Sequence, residues 1–132
     1  SLYNNLGWTY HDQGEYVRAL EYFQQALHWQ EEHGKGREIR IARWCVARTL
    51  RSLQQPADAL ALQRGLLAEW ERSGEEQDGY VFEEIAECLL LLGRVAESRP
   101  YFLQAHALLV QDPWLVAQEN ERLQRLQRLG EG

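Results

Sequence analysis

Lysine is nearly absent from this chain of 132 residues: Lys35 is the only one among 14 basic residues, and there is no methionine at all. With 20 acidic residues the formal net charge is -6, the wrong balance for a protein whose affinity would rest on neutralising phosphates, so nucleic acid is not the expected partner. Cysteine is also scarce. Cys45 and Cys88 cannot make a disulfide framework, so the expected compartment is reducing, the cytoplasm. No apolar run approaches the roughly 18 residues of a membrane helix, and no signal peptide opens the chain, so no membrane contact is expected. Strands lack support too, because nothing alternates with period two over a useful length. Asp78-Gly79 opens a helical pattern rather than closing a hairpin.

What remains is helix. Between the 3 prolines and the scattered glycines run stretches of Ala, Leu, Glu, Gln and Arg. Their apolar residues fall at helical spacing, as in Tyr3, Leu6, Tyr10 and then Tyr16, Leu20, Phe23, Leu27. The pattern predicts helices over Leu2–Gln13, Glu15–Glu32, Arg37–Leu53, Pro56–Arg72, Tyr80–Leu92, Val95–Val110 and Pro113–Leu129. Pro56 and Pro113 suit a first turn, where the missing N–H costs nothing, and Asp112 is an expected N-cap. Pro100, about five residues into its segment, predicts a late start or a kink near Arg99.

The chain also repeats itself. The pattern Leu6-Gly7, Tyr10, Gly14, Tyr16, Ala19, Phe23, Ala26 returns at a shift of 40 as Val46-Ala47, Leu50, Gln54, Pro56, Ala59, Gln63, Leu66. At a shift of 79 it reads Ile85-Ala86, Leu89, Gly93, Val95, Ser98, Phe102, Ala105. Small residues fall on small ones because two antiparallel helices touch there, and large ones fill the gaps around the contact.

The run L-G-x-x-Y…G-x-Y-x-x-A-x-x-x-F-x-x-A resembles the tetratricopeptide repeat, a helix–turn–helix unit of about 34 residues. The spacing of about 40 looks like the long-helix variety of that family. The resemblance implies one all-α domain, a right-handed α-α superhelix of three repeats at about 1–36, 37–76 and 79–112, the second degenerate. A C-terminal helix at 113–129 follows, read as a solvating cap. Its partial stripe of Leu115, Val116, Leu123, Leu126 and Leu129 also admits a dimerisation helix. The chain opens at Ser1 directly on a repeat, which suggests a piece of a longer array and an end open to self-association.

In that family the first helix of each repeat faces a concave groove that holds peptides of partner proteins. The matching positions are Asn4, Asn5, Trp8, His11 and Asp12 in repeat one, and Ile41, Trp44, Cys45, Arg48 and Arg51 in repeat two. Repeat three offers Tyr80, Glu83, Glu84, Glu87 and Leu90. From these, Asn4, Asn5, Trp8, His11, Trp44, Arg48, Arg51, Glu83 and Glu87 are the expected peptide contacts. Helical geometry picks out part of the set independently, since Arg37, Arg40, Trp44, Arg48 and Arg51 are spaced 3, 4, 4 and 3 and share one stripe. Arginine forks pair with carboxylates and indole supplies desolvated area, so the partner expected is an acidic, partly apolar peptide. A competing reading pairs Arg48 with Glu87 and Arg51 with Asp12 in a solvated charge ladder. Asn5 matches the asparagine that long-repeat members use to grip a peptide backbone; Cys45 and Glu84, at the corresponding positions, do not. The lysines of the heat-shock carboxylate clamp are missing.

Chemistry finds no foothold. His11, His28, His33 and His106 lie at no ligand-like spacing, Gly34-Lys35-Gly36 lacks the rest of a phosphate loop, and no nucleophile stands near a base. No metal, no cofactor and no enzymatic activity are expected. The alternatives to a peptide binder are a self-associating scaffold, through the N-terminal end or the final helix, and a ligand-sensing piece of a larger regulator. The excess of arginine over lysine points to a bacterial source.

Overall fold

The computed structural model describes residues 2–132, and among these it contains eight helices and no strand. They are α1 (Leu2–Asp12), α2 (Tyr16–His33), α3 (Gly36–Ser52), α4 (Pro56–Ser73), α5 (Gly79–Leu91), α6 (Val95–Leu109), α7 (Pro113–Gln118) and α8 (Asn120–Glu131). The chain divides into two compact units, one ending at Leu62 and the other starting at Gln63, so the degenerate second repeat is shared between them.

The repeated pattern is repeated geometry. Gly14, Gln54 and Gly93, at shifts of 40 and 79, all take left-handed backbone, with φ of 79°, 62° and 77°. Each amide bonds back to a carbonyl three residues earlier, on His11, Arg51 and Leu90, at 3.0 Å. The next amide reaches Tyr10, Leu50 or Leu89, each at 2.9 Å. These paired bonds satisfy the orphan carbonyls that end a helix and turn the chain back on itself. Gln54 accepts a conformation that its Cβ disfavours because the second repeat needs the same turn.

The core positions repeat likewise. Gly7, Ala47 and Ala86 are buried, as are Ala19, Ala59 and Ser98. A Cβ on Gly7 would meet the Phe23 ring at 2.5 Å, so the glycine is the price of bringing α1 against α2. In the first unit Ala19, Phe23, Cys45 and Val46 form the buried cluster, flanked by Trp8, Tyr10, Leu20, Leu27, Trp44 and Leu50. In the second, Phe82, Ala86, Phe102, Ala105 and Leu109 are joined by Leu115, Leu123 and Leu126 from the last two helices. Gln63 stands where the other repeats have Phe23 and Phe102, and it is fully buried with no hydrogen-bond partner for either side-chain polar atom among the described residues. An unsatisfied buried amide costs about 1–3 kcal/mol. Replacing Gln63 with leucine, of similar size, should therefore raise stability by about 1–2 kcal/mol, measured by urea unfolding.

Two sequence expectations need correction. The segment predicted as one helix over Pro113–Leu129 breaks at Glu119, whose φ of -131° and ψ of 43° lie outside the helical region. Apolar spacing is helical on both sides of the break, so the sequence carries no stop there. The break lets α8 run along α6 while Leu115 of α7 and Leu123 and Leu126 of α8 all reach the same cluster. Of the two outcomes expected at Pro100, a late start or a kink, the late start does not occur: α6 is already formed at Val95. Only the bond to the carbonyl of residue 96 is lost, and Ala96 is exposed, so water can take that carbonyl. Elsewhere the observed ends match the expected ones to within a residue or two, Pro56 and Pro113 open their helices, and Asp112 accepts from the Trp114 amide at 2.9 Å as its N-cap.

Candidate functional site: the face of α1 and α3

Residues 41 positions apart meet on the first unit. The helical stripe of α3 presents Trp44 and Arg48, and that of α1 presents Trp8 and His11. The Trp8 ring sits edge-on against Phe23 at 4.9 Å and lies 6.2 Å from the Trp44 ring. Its other neighbour is His11, at 5.3 Å, which in turn contacts Tyr16 at 4.9 Å. Held between aromatic rings, the His11 imidazole exchanges a 2.8 Å hydrogen bond with the Ser52 hydroxyl, and Arg48 donates to that same hydroxyl at 2.7 Å. Ser52 thus ties α1 to α3. The i, i+4 relation of Arg48 and Ser52 is a local one, whereas the contact of Ser52 with His11, 41 residues away, lies beyond any spacing argument.

Burial lowers the His11 pKa below its ordinary 6.5, and the Arg48 charge adds to the effect; Asp12 opposes it and Arg51 reinforces it. The folded state therefore prefers neutral His11. Its contribution to stability is full above pH 6.5, the unfolded value, and falls as the pH drops from there through the lower folded value. A urea titration series between pH 7.5 and 5 should show that loss, and His11→Gln should remove this component of the slope.

Cys45 lies under the same face. Burial pushes its thiol up to about 12, against a weaker opposing contact with Trp8, so it is an inert core thiol at neutral pH.

The remaining expected contacts separate. Asn4 lines a small cleft with Ala26, Gln30, Glu38, Ile41 and Ala42, while Asn5 is exposed and its carbonyl accepts from Thr9 at 3.0 Å. Glu83 and Glu87, on α5 in the second unit, are engaged by α8. Arg122 grips Glu83 with two donors, Nε at 2.8 Å and an NH2 group, holds Glu119 at 2.9 Å, and lies over the Tyr80 ring. Arg125 donates to Glu87 at 2.8 Å. The Glu83 side chain is 8% exposed, which makes it the anchor of an ion-paired seam between α5 and α8. Nothing in the sequence marked Arg122 as Glu83's partner, since 39 residues separate them.

Among the described residues no group of three or more His, Cys, Asp or Glu side chains could hold a metal ion, and no helix is long and apolar enough to cross a membrane. The helix pairs and their shared turn define a helical-repeat protein with an aromatic and basic face on its first unit. Residues 1–28 match the family model of the tetratricopeptide repeat, and the all-helical fold is consistent with a solenoid of that type. Such repeats generally mediate protein–protein interaction and are typically not enzymes. No curated protein matches the chain at a significant level.

Proposed function

We propose that this protein binds a peptide segment of a partner protein on the face of α1 and α3 in the first unit, with Trp8, Trp44, Arg48 and Arg51 as the main contacts. The observation that supports this most is the union of two neighbouring indoles with the His11–Ser52–Arg48 network. The aromatic pair offers area that a ligand can desolvate, and the network holds that area in one shape before binding. Charge sets the partner's sign. α3 has five arginines and one glutamate (Arg37, Arg40, Arg43, Arg48 and Arg51 against Glu38) in a chain whose net charge is -6. A segment with acidic side chains beside an aromatic or large apolar one fits that face.

Selection of a random peptide library on the immobilised chain should enrich such segments. Arg48→Glu with Arg51→Glu should then weaken the winners by about tenfold or more, as expected when charge-assisted contacts are reversed. Arginine substitutions are preferred to Trp44→Ala because Trp44 packs against the buried cluster, and its loss would damage the fold as well. Winners that are basic, or that bind the reversed chain equally well, would refute the assignment.

A further inference from the structure

A second cleft of the first unit has the opposite chemistry. It is a cavity of about 560 Å³ between the start of α1 and the last turns of α2. Glu21, Gln25, His28 and Glu32 line it from one stripe of α2, at spacings of 4, 3 and 4, and the Tyr3 and Trp29 rings complete it. Neither lysine nor arginine contributes to the lining. Both rings are accessible, Tyr3 at 39% and Trp29 at 48%, which is a large aromatic exposure for adjacent residues of one cleft. The Trp29 ring is also held in place: His33 stacks on it at 4.8 Å and is anchored by a 3.1 Å contact from its Nδ1 to the Trp29 carbonyl.

We propose that this cleft is a binding site for a short basic segment of a partner protein, with arginine or lysine side chains set against the Tyr3 and Trp29 rings and the Glu21 and Glu32 carboxylates. Three effects favour that occupant. An aromatic face attracts a cation through its quadrupole. Two carboxylates on one stripe supply complementary charge. Glu32 also contacts His28 Nε2 through one oxygen at 3.2 Å, which leaves its second oxygen and both oxygens of Glu21 to accept from a guanidinium or ammonium. The last turn of α2, with its partial negative charge, borders the cavity and adds in the same direction. The volume exceeds what one side chain fills, so a short stretch fits better than an isolated residue. The assignment is independent of the α1–α3 face, which has the reverse charge and different residues.

Fluorescence polarisation of a labelled hexa-arginine peptide tests it, with uncharged hexa-serine as the comparator. Saturable binding of hexa-arginine alone is expected. Trp29→Ala, and separately Glu21→Gln with Glu32→Gln, should each weaken it by at least about tenfold. Glu71→Gln with Glu76→Gln, which removes the same charge elsewhere, should leave it within about twofold. These side chains are exposed, so circular dichroism should report an unchanged fold. Absence of saturable binding, equal weakening by the control pair, or full affinity in Trp29→Ala would each overturn the proposal. So would a concentration-dependent dimer that Trp29→Ala dissolves, because the cleft would then belong to a second copy of the chain.

Discussion

Replacing Arg122 with methionine is expected to lower stability by about 3 kcal/mol, because it strands an almost buried carboxylate. Glu83 receives two of its hydrogen bonds from this one guanidinium, and its side chain is 8% exposed against 33% for Arg122. The partial exposure of the arginine sets the expectation at the lower end of the range for broken buried pairs. The cost lies in the unpaired charge rather than in the lost attraction, so it has a signature. Glu83→Gln combined with Arg122→Met should recover much of the loss, since a neutral amide is far cheaper to leave in that site. Urea midpoints of the two variants distinguish the cases. A single variant within about 1 kcal/mol of the parent would mean that water reaches Glu83 and that the α5–α8 seam is a surface feature.

Phe23→Ala should cost about 3–5 kcal/mol, the usual range for a phenylalanine emptied from a close-packed interior. Phe23 is fully buried, fills the space that Gly7 leaves open, and supports the Trp8 ring at 4.9 Å. Phe102→Ala removes the equivalent residue of the second unit, equally buried, and should cost a similar amount. The pair separates stability from function. Under conditions where both variants remain folded, Phe23→Ala should also weaken a peptide bound on the α1–α3 face, because Trp8 loses its backing; Phe102→Ala should not. Equal affinities would detach Trp8 from the binding surface.

Much of this fold is legible in the sequence, for a reason that the turns make plain. Gly14 and Gly93 announce left-handed backbone, and the small and aromatic residues around them fall at intervals that one helix–turn–helix unit fixes. Even Gln54, which announces nothing, could be placed by its register with the two glycines. Local periodicity, in contrast, cannot reveal what tertiary contact decides. The break at Glu119 lies inside an unbroken helical pattern and exists because α7 and α8 both drain into one cluster. Pro100 was legible as a problem, but not as one that an exposed carbonyl dissolves. Of the expected contacts, Trp8, His11, Trp44 and Arg48 come together on the first unit: the stripe of α3 singled out Trp44 and Arg48, and the family resemblance supplied Trp8 and His11. Glu83 and Glu87 are held by arginines 39 and 38 positions away, beyond the reach of any spacing argument.

The five indole N–H groups provide the most direct test of the α1–α3 face. A ¹⁵N-labelled sample titrated with a peptide selected as above should shift the Trp8 and Trp44 indole signals in step with binding. Trp29, Trp70 and Trp114 should stay in place. Shifts confined to Trp29 or Trp114, with Trp8 and Trp44 unmoved, would contradict the account and put the partner on another surface.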